Sequence, residues 1–213
     1  MTNKFLLARK KGMTQIFHED GNVVPVTVLE VGPCTVTGIR DKKRDGYRAV
    51  QLGFIPARAK HVNKPQLVAA EKTGVKPFRV LREFRVEATD SYEIGQELTA
   101  ETFEIGDVID VSGKSKGRGF AGTIKAHGFS RGNETHGCHN VRQPGSIGQC
   151  ASPSRVFKGQ RMPKHFGNSR CTVKNLTVEG IDADRGLLLV RGGVPGAPNS
   201  LVQIQTAKTG GKK

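Results

Sequence analysis

Three groups of side chains in this sequence are of kinds that do chemistry. His136, Cys138, His139, Cys150 and Cys171 are zinc-ligating types. Gly117-Arg118-Gly119-Phe120-Ala121-Gly122 has the G-x-G-x-x-G spacing of a phosphate-cradling loop. Around both lie eleven Lys and Arg between Ser112 and Arg170, against one acid, Glu134. The first two patterns fail on their own terms. Structural zinc sites carry closely spaced ligand pairs at both ends, and only the His136–His139 cluster is paired. A dinucleotide loop needs a helix after it and an acid about twenty residues on, where Asn140, Val141 and Arg142 stand. Gly113-Lys114-Ser115 imitates the end of a P-loop, but Val108 occupies the place of its first glycine. The chain has no G-x-S-x-G, no H-E-x-x-H and no evident nucleophile–base pair. These absences argue against an enzyme, and neither a metal nor a cofactor is expected.

What remains is charge. The chain has 213 residues and a formal net charge of +15. The Ser112–Arg170 run supplies +10 of it (11 − 1); the other 154 residues carry 23 basic and 18 acidic side chains, or +5. Most charge runs are solvated surface, but this one is long, almost free of acids and rich in glycine. It is also too polar to bury enough apolar surface to offset its own ordering entropy. A polyanion that orders it accounts for both properties. Its glycines let the backbone approach phosphates closely, and Lys114, Lys116, Arg118 and Lys125 would neutralise them. Trp is absent and Tyr occurs twice, so charge and backbone contacts rather than aromatic platforms are the expected mode.

The elements that must position this run read as β-structure. Phe5–Lys10 and Met13–His18 are short strand-like runs separated by Lys11-Gly12, and Glu19–Asn22 is a turn. Val23–Glu30 follows, with Pro25 marking an edge or the start of the paired portion. Cys34–Arg40 and Tyr47–Phe54 alternate on either side of a charged turn, in the manner of an antiparallel barrel or meander. Asn63 and Pro65 suggest the start of a short helix within 57–75. Phe78–Val86 and Asp107–Val111 return to strand. Beyond the basic run come Cys171–Val178, a hairpin loop at Asp182–Gly186, Leu187–Val190 and Leu201–Gln205. Strands on both sides make the basic run an insertion in a β-domain. The expected division is therefore 1–111 with 171–206 as the globular domain, 112–170 as the extension and 207–213 as a flexible tail. The opening residues carry no secretory or membrane segment, and the cysteine spacing suits no disulfide scaffold, which points to an intracellular protein.

Several longer motifs resemble the large-subunit ribosomal protein L-three family. They are Gly113–Phe129 (GKSKGRGFAGTIKAHGF), Pro144–Gln149 (PGSIGQ), Arg155–Asn168 (RVFKGQRMPKHFGN), Gly12–Phe17 with Glu19–Gly21, and Leu187–Asn199 (LLLVRGGVPGAPN). The resemblance covers nearly the whole chain, in order. It implies a mainly β protein: a six-stranded closed β-barrel of the translation-protein type, with a long internal loop that threads through ribosomal RNA toward the peptidyl transferase centre. It further implies a role in early subunit assembly, large-subunit ribosomal RNA and neighbouring ribosomal proteins as partners, and a bacterial-type cytoplasmic ribosome. The RNA-facing residues would be Lys114, Lys116, Arg118, Lys125, His127 and Arg131 on the outgoing limb, then His136, His139 and Arg142. On the returning limb they would be Arg155, Lys158, Arg161, Lys164, His165 and Arg170. The loop tip would fall around Gln143–Ser154, with Gln143, Pro144, Gly145, Ser146, Gly148, Gln149, Cys150 and Ser152 near that centre. Gln149 matches a glutamine that some members methylate, which brings in a glutamine methyltransferase as a possible partner. Cys150 departs from the Asn common at its position. The rival readings are an enzyme that holds a nucleotide on the glycine-rich loop and a free-standing RNA chaperone.

Overall fold

A computed structural model describes residues 4–89 and 91–209. The strands, in chain order, are β1 (Phe5–Phe17), β2 (Val23–Glu30), β3 (Cys34–Arg40), β4 (Ala49–Pro56), β5 (Phe78–Arg85), β6 (Glu97–Leu98), β7 (Val108–Lys114), β8 (Phe120–Ala121), β9 (Lys164–His165), β10 (Arg170–Asp182), β11 (Leu187–Arg191) and β12 (Leu201–Thr206). The helices are α1 (Lys42–Asp45), α2 (Lys64–Thr73) and α3 (Thr123–His127). Six strands close into an antiparallel barrel in the order β1-β12-β7-β10-β11-β2. Its interior follows from cross-strand register. Leu6 lies opposite Ile204, which lies opposite Val111 on its other side, and all three are fully buried. Residues opposite one another share a face, so each such row fills one level of the barrel.

The strand-rich first half does not all enter the barrel; of the barrel or meander that its alternation suggests, β3 to β5 take the meander. β3, β4 and β5, with β6, form a separate sheet in the order β5-β4-β3-β6. That sheet covers the outside of β1, which explains why Phe5, Leu6, Leu7 and Ala8 are buried in succession. Leu6 faces the barrel interior, while the Phe5 ring stacks on Phe84 of β5 with centroids 4.8 Å apart. Leu7 N–H donates to Cys34 Sγ at 3.4 Å. Burial pushes the Cys34 thiol up to about 11, so it stays protonated and acts as a small apolar plug.

Other expectations are refined. The two runs around Lys11-Gly12 are one strand, whose pairing with β2 shifts between Lys10 and Gly12, so the glycine marks a bulge. Pro25 stands at an edge rather than at the start of the paired portion: Val23–Pro25 pairs with β1 alone, and the pairing of β2 with β11 runs from Val26. Asn63 stands at the N-cap of α2 with Pro65 in the first turn, but its side chain makes no capping bond. Of the expected tail, 207–213, the first residue is tied down, Ala207 N–H donating to Val108 O at 3.0 Å, and Gly210–Lys213 lie outside the described residues.

The chain divides into two compact units, with breaks between Lys114 and Ser115 and between Ser169 and Arg170. The first holds the barrel and the second sheet. The second, 115–169, leaves the end of β7 and returns at the start of β10, and these two strands pair antiparallel with Lys114 opposite Arg170.

Candidate nucleic-acid interface

The 115–169 unit is built with almost no core. Among its described residues only Ala121 and Thr123 are buried. Its two limbs are instead joined by backbone. Ser115 N–H donates to Ser169 O at 2.9 Å, Arg118 N–H to Phe166 O at 2.8 Å, and Phe166 N–H to Gly119 O at 2.8 Å. β8 and β9 continue this ladder with Phe120 opposite His165 and Ala121 opposite Lys164. Gly167 has φ +75°, and a Cβ there would collide with the Lys116 carbonyl, so the limbs close only on glycine. Beyond the ribbon, α3 runs one turn and ends on Gly128 in the left-handed conformation.

On this frame every one of the nine Lys and Arg is exposed: Lys116, Arg118, Lys125, Arg131, Arg142, Arg155, Lys158, Arg161 and Lys164. Arg131 pairs with Glu134, the unit's one acid. The other eight have no carboxylate within their own unit to pair with. Arg118 lies over the Phe166 ring at 5.8 Å and Arg155 over Phe157 at 5.9 Å, which steadies both guanidinium groups on an exposed surface. Lys114 and Arg170 belong to the barrel unit, at the paired ends of β7 and β10. There Arg170 Nη2 donates to Ser112 Oγ at 3.4 Å.

The histidines separate into two kinds. His136, His139 and His165 are exposed, and His136 adopts a left-handed φ of 58°. His127 is half-buried, with Nε2 3.0 Å from Met162 O and its ring 5.9 Å from that of Phe129. One of its ring nitrogens is thus engaged in tying α3 to the returning limb.

The expected tip residues Gln143, Pro144, Gly145, Ser146, Gly148, Gln149, Cys150 and Ser152 are all exposed. Ser146 Oγ donates to Gly148 O at 2.8 Å. Gly145 has φ +80° and requires glycine, whereas Gly148 does not: a Cβ there would be 3.8 Å from Arg155 O, an ordinary contact. Among the described residues no group of three or more His, Cys, Asp or Glu is arranged to hold a metal ion, and no helix is long and apolar enough to cross a membrane. Composition gave aromatics little weight, yet Phe120 and Phe157 are 78% and 55% exposed. Isolated phenylalanines in a cationic, glycine-rich run were the available signal.

The family model for ribosomal protein L3 matches residues 81–186. The chain is 54% identical over 204 residues to the large ribosomal subunit protein uL3 of Desulforapulum autotrophicum, an alignment covering 96% of this chain and 99% of the relative. It is 50% identical over 205 residues to the protein of the same name from Desulfitobacterium hafniense, covering 96% of each. It is 49% identical over 208 residues to that of Synechococcus elongatus, covering 98% of each.

Proposed function

The chain belongs to the ribosomal protein L3 family, and on that premise we propose that it is a structural constituent of the large ribosomal subunit that binds large-subunit ribosomal RNA through residues 112–170. It is not an enzyme; RNA performs the chemistry, and this chain positions it. The observation that carries the RNA reading is the set of eight exposed cations with no carboxylate of their own unit, held on a glycine-rich frame with two buried residues. Like charges this close repel one another in the free chain, and packed phosphates relieve that repulsion while releasing counterions. Lys116, Arg118, Lys125, Arg142, Arg155, Lys158, Arg161 and Lys164 neutralise phosphates, with Lys114 and Arg170 doing so where the unit joins the barrel. His136, His139 and His165 donate hydrogen bonds.

In the same reading Gln143–Ser154 approaches the peptidyl transferase centre. That stretch contains no Lys, Arg, Asp or Glu, so amides, hydroxyls and small side chains would pack against bases there. Binding by the segment supports early assembly of the subunit, which works in the cytoplasm among neighbouring ribosomal proteins. Gln149 is exposed, and its side-chain amide is the group a glutamine methyltransferase would modify. Sedimentation of a lysate tests the assignment: the protein should travel with the large subunit, and a chain found only in light fractions would instead favour a free RNA chaperone. The intact mass of the protein from that subunit, with and without Gln149→Ala, would reveal a methyl group on Gln149.

A further inference from the structure

Phe120 is the most exposed large apolar side chain among the described residues, at 78%. It stands in β8 directly opposite His165 of β9. Opposed residues of an antiparallel pair leave from the same face, and His165 is exposed as well. The next residue along β8, Ala121, points to the other face and is buried. One face of the ribbon therefore carries Ala121 and Lys164, and the other, open face presents the Phe120 ring and the His165 imidazole from opposed positions.

The unit's other three phenylalanines already have partners. Phe129 lies beside His127, Phe166 beneath Arg118 and Phe157 beneath Arg155. Among the described residues, Phe120 has no ring or cation against it. The backbone beneath it is fixed by the bonds between Arg118, Gly119 and Phe166, so the ring is displayed on a set frame. Arg118, two residues before it in the chain, is exposed, Lys164 is exposed on the other face of the same ribbon, and the ribbon contains no acid.

A single apolar ring is a small contact for a protein partner, which needs a contiguous apolar patch. A ring with a cation close by in the chain matches a nucleotide that is out of its helix, whose base stacks while a phosphate meets the charge. We propose that Phe120, with His165 opposite it, is a stacking site for an unpaired base of RNA, and that Arg118, two residues before it in the chain, holds an adjoining phosphate. The site rests on the reading of this segment as RNA-binding and adds to it a base contact that does not depend on charge.

Salt separates the two kinds of contact. The full-length chain, Phe120→Leu and Phe120→Tyr would be titrated with fragments of large-subunit ribosomal RNA over a range of salt concentrations. Phe120→Leu should weaken binding at least roughly fivefold, since a base–aromatic stack is worth that or more. The slope of log K against log salt should not change, because no phosphate contact is lost. Phe120→Tyr, which keeps the ring, should bind as the wild type does. Wild-type affinity for Phe120→Leu would overturn the stacking site while leaving the RNA reading intact. A weaker affinity with a shallower slope would also overturn it, because the change would then have disturbed phosphate contacts. A wild-type chain that bound none of the fragments would instead defeat the RNA reading itself.

Discussion

Lys114 and Arg170 face each other across the β7–β10 ladder, the last residue of one strand against the first of the other. Fifty-five residues leave and return between them (115 through 169). The basic segment is therefore closed at its base by strand pairing, and its own limbs are joined by backbone bonds rather than by a core. The placement of its cations depends on that ladder and on the glycines that permit it.

If about six of the basic side chains contact phosphate, log K against log salt should slope roughly −4 to −5 for a ribosomal RNA fragment. Replacing Lys114, Lys116 and Arg118 together by Ala should flatten the slope by about 2 to 3. Binding measured across a salt series checks this, and an unchanged slope would assign the three to plain solvated surface.

Gly145 and Gly148 should behave differently. Gly145→Val forces a β-branched side chain into a left-handed φ of +80°, while Gly148→Val meets only an ordinary contact. On ribosomes carrying the variants, Gly145→Val should alter peptide-bond formation or the response to drugs bound at that centre more strongly than Gly148→Val. Both variants should melt like the wild type as free proteins, because the barrel strands lie elsewhere in the chain.

Glu83 accepts from Tyr47 OH at 2.7 Å and from Arg40 Nε at 3.1 Å. The Tyr47 hydroxyl first, and the Arg40 guanidinium after it, hold the carboxyl below its ordinary value of 4.5. A depressed folded pKa contributes stability that is present above the ordinary value and is lost as pH falls through the lower folded one. Exposed pairs contribute up to about 1 kcal/mol, roughly 2–4 °C in a chain of this size. Glu83→Gln should therefore lower Tm by about 2 °C at pH 7, and thermal melting should show the difference closing under acid.

Thiol labelling should sort the four cysteines. Cys150 and Cys171 are exposed and Cys138 is half-buried, so all three should react in the native protein, Cys138 more slowly. Cys34 is fully buried with its thiol pushed up to about 11, and it should stay unlabelled until denaturant is added. Mass spectrometry of the labelled protein checks the order.

Much of this arrangement was legible in the residues. Val23–Glu30 and Leu201–Gln205 alternate in a way that only strands use, and both are barrel strands. Alternation gives a period but not a partner, which is why Cys34–Arg40 and Tyr47–Phe54 read as strands of a barrel or a meander without deciding between them; they pair in the second sheet. The two-residue strands Phe120–Ala121 and Lys164–His165 are too short to carry a period, and their pairing spans more than forty residues of chain. Turn chemistry showed glycines at the tip but not which of them needs a positive φ. That depends on the path of the backbone, and the path singles out Gly145.

The Lys114–Arg170 pairing also bears on the order in which a particle can be put together. A strand with a free end can be fed through a ring that has already closed. A lasso sewn shut at its neck has no end to feed and can enter a closed ring only doubled. Nucleic acid that encircles this segment closely must therefore wind round it while still open. In such a particle the chain would be a mandrel on which later turns are wrapped, and removing it would be as difficult as unwinding those turns.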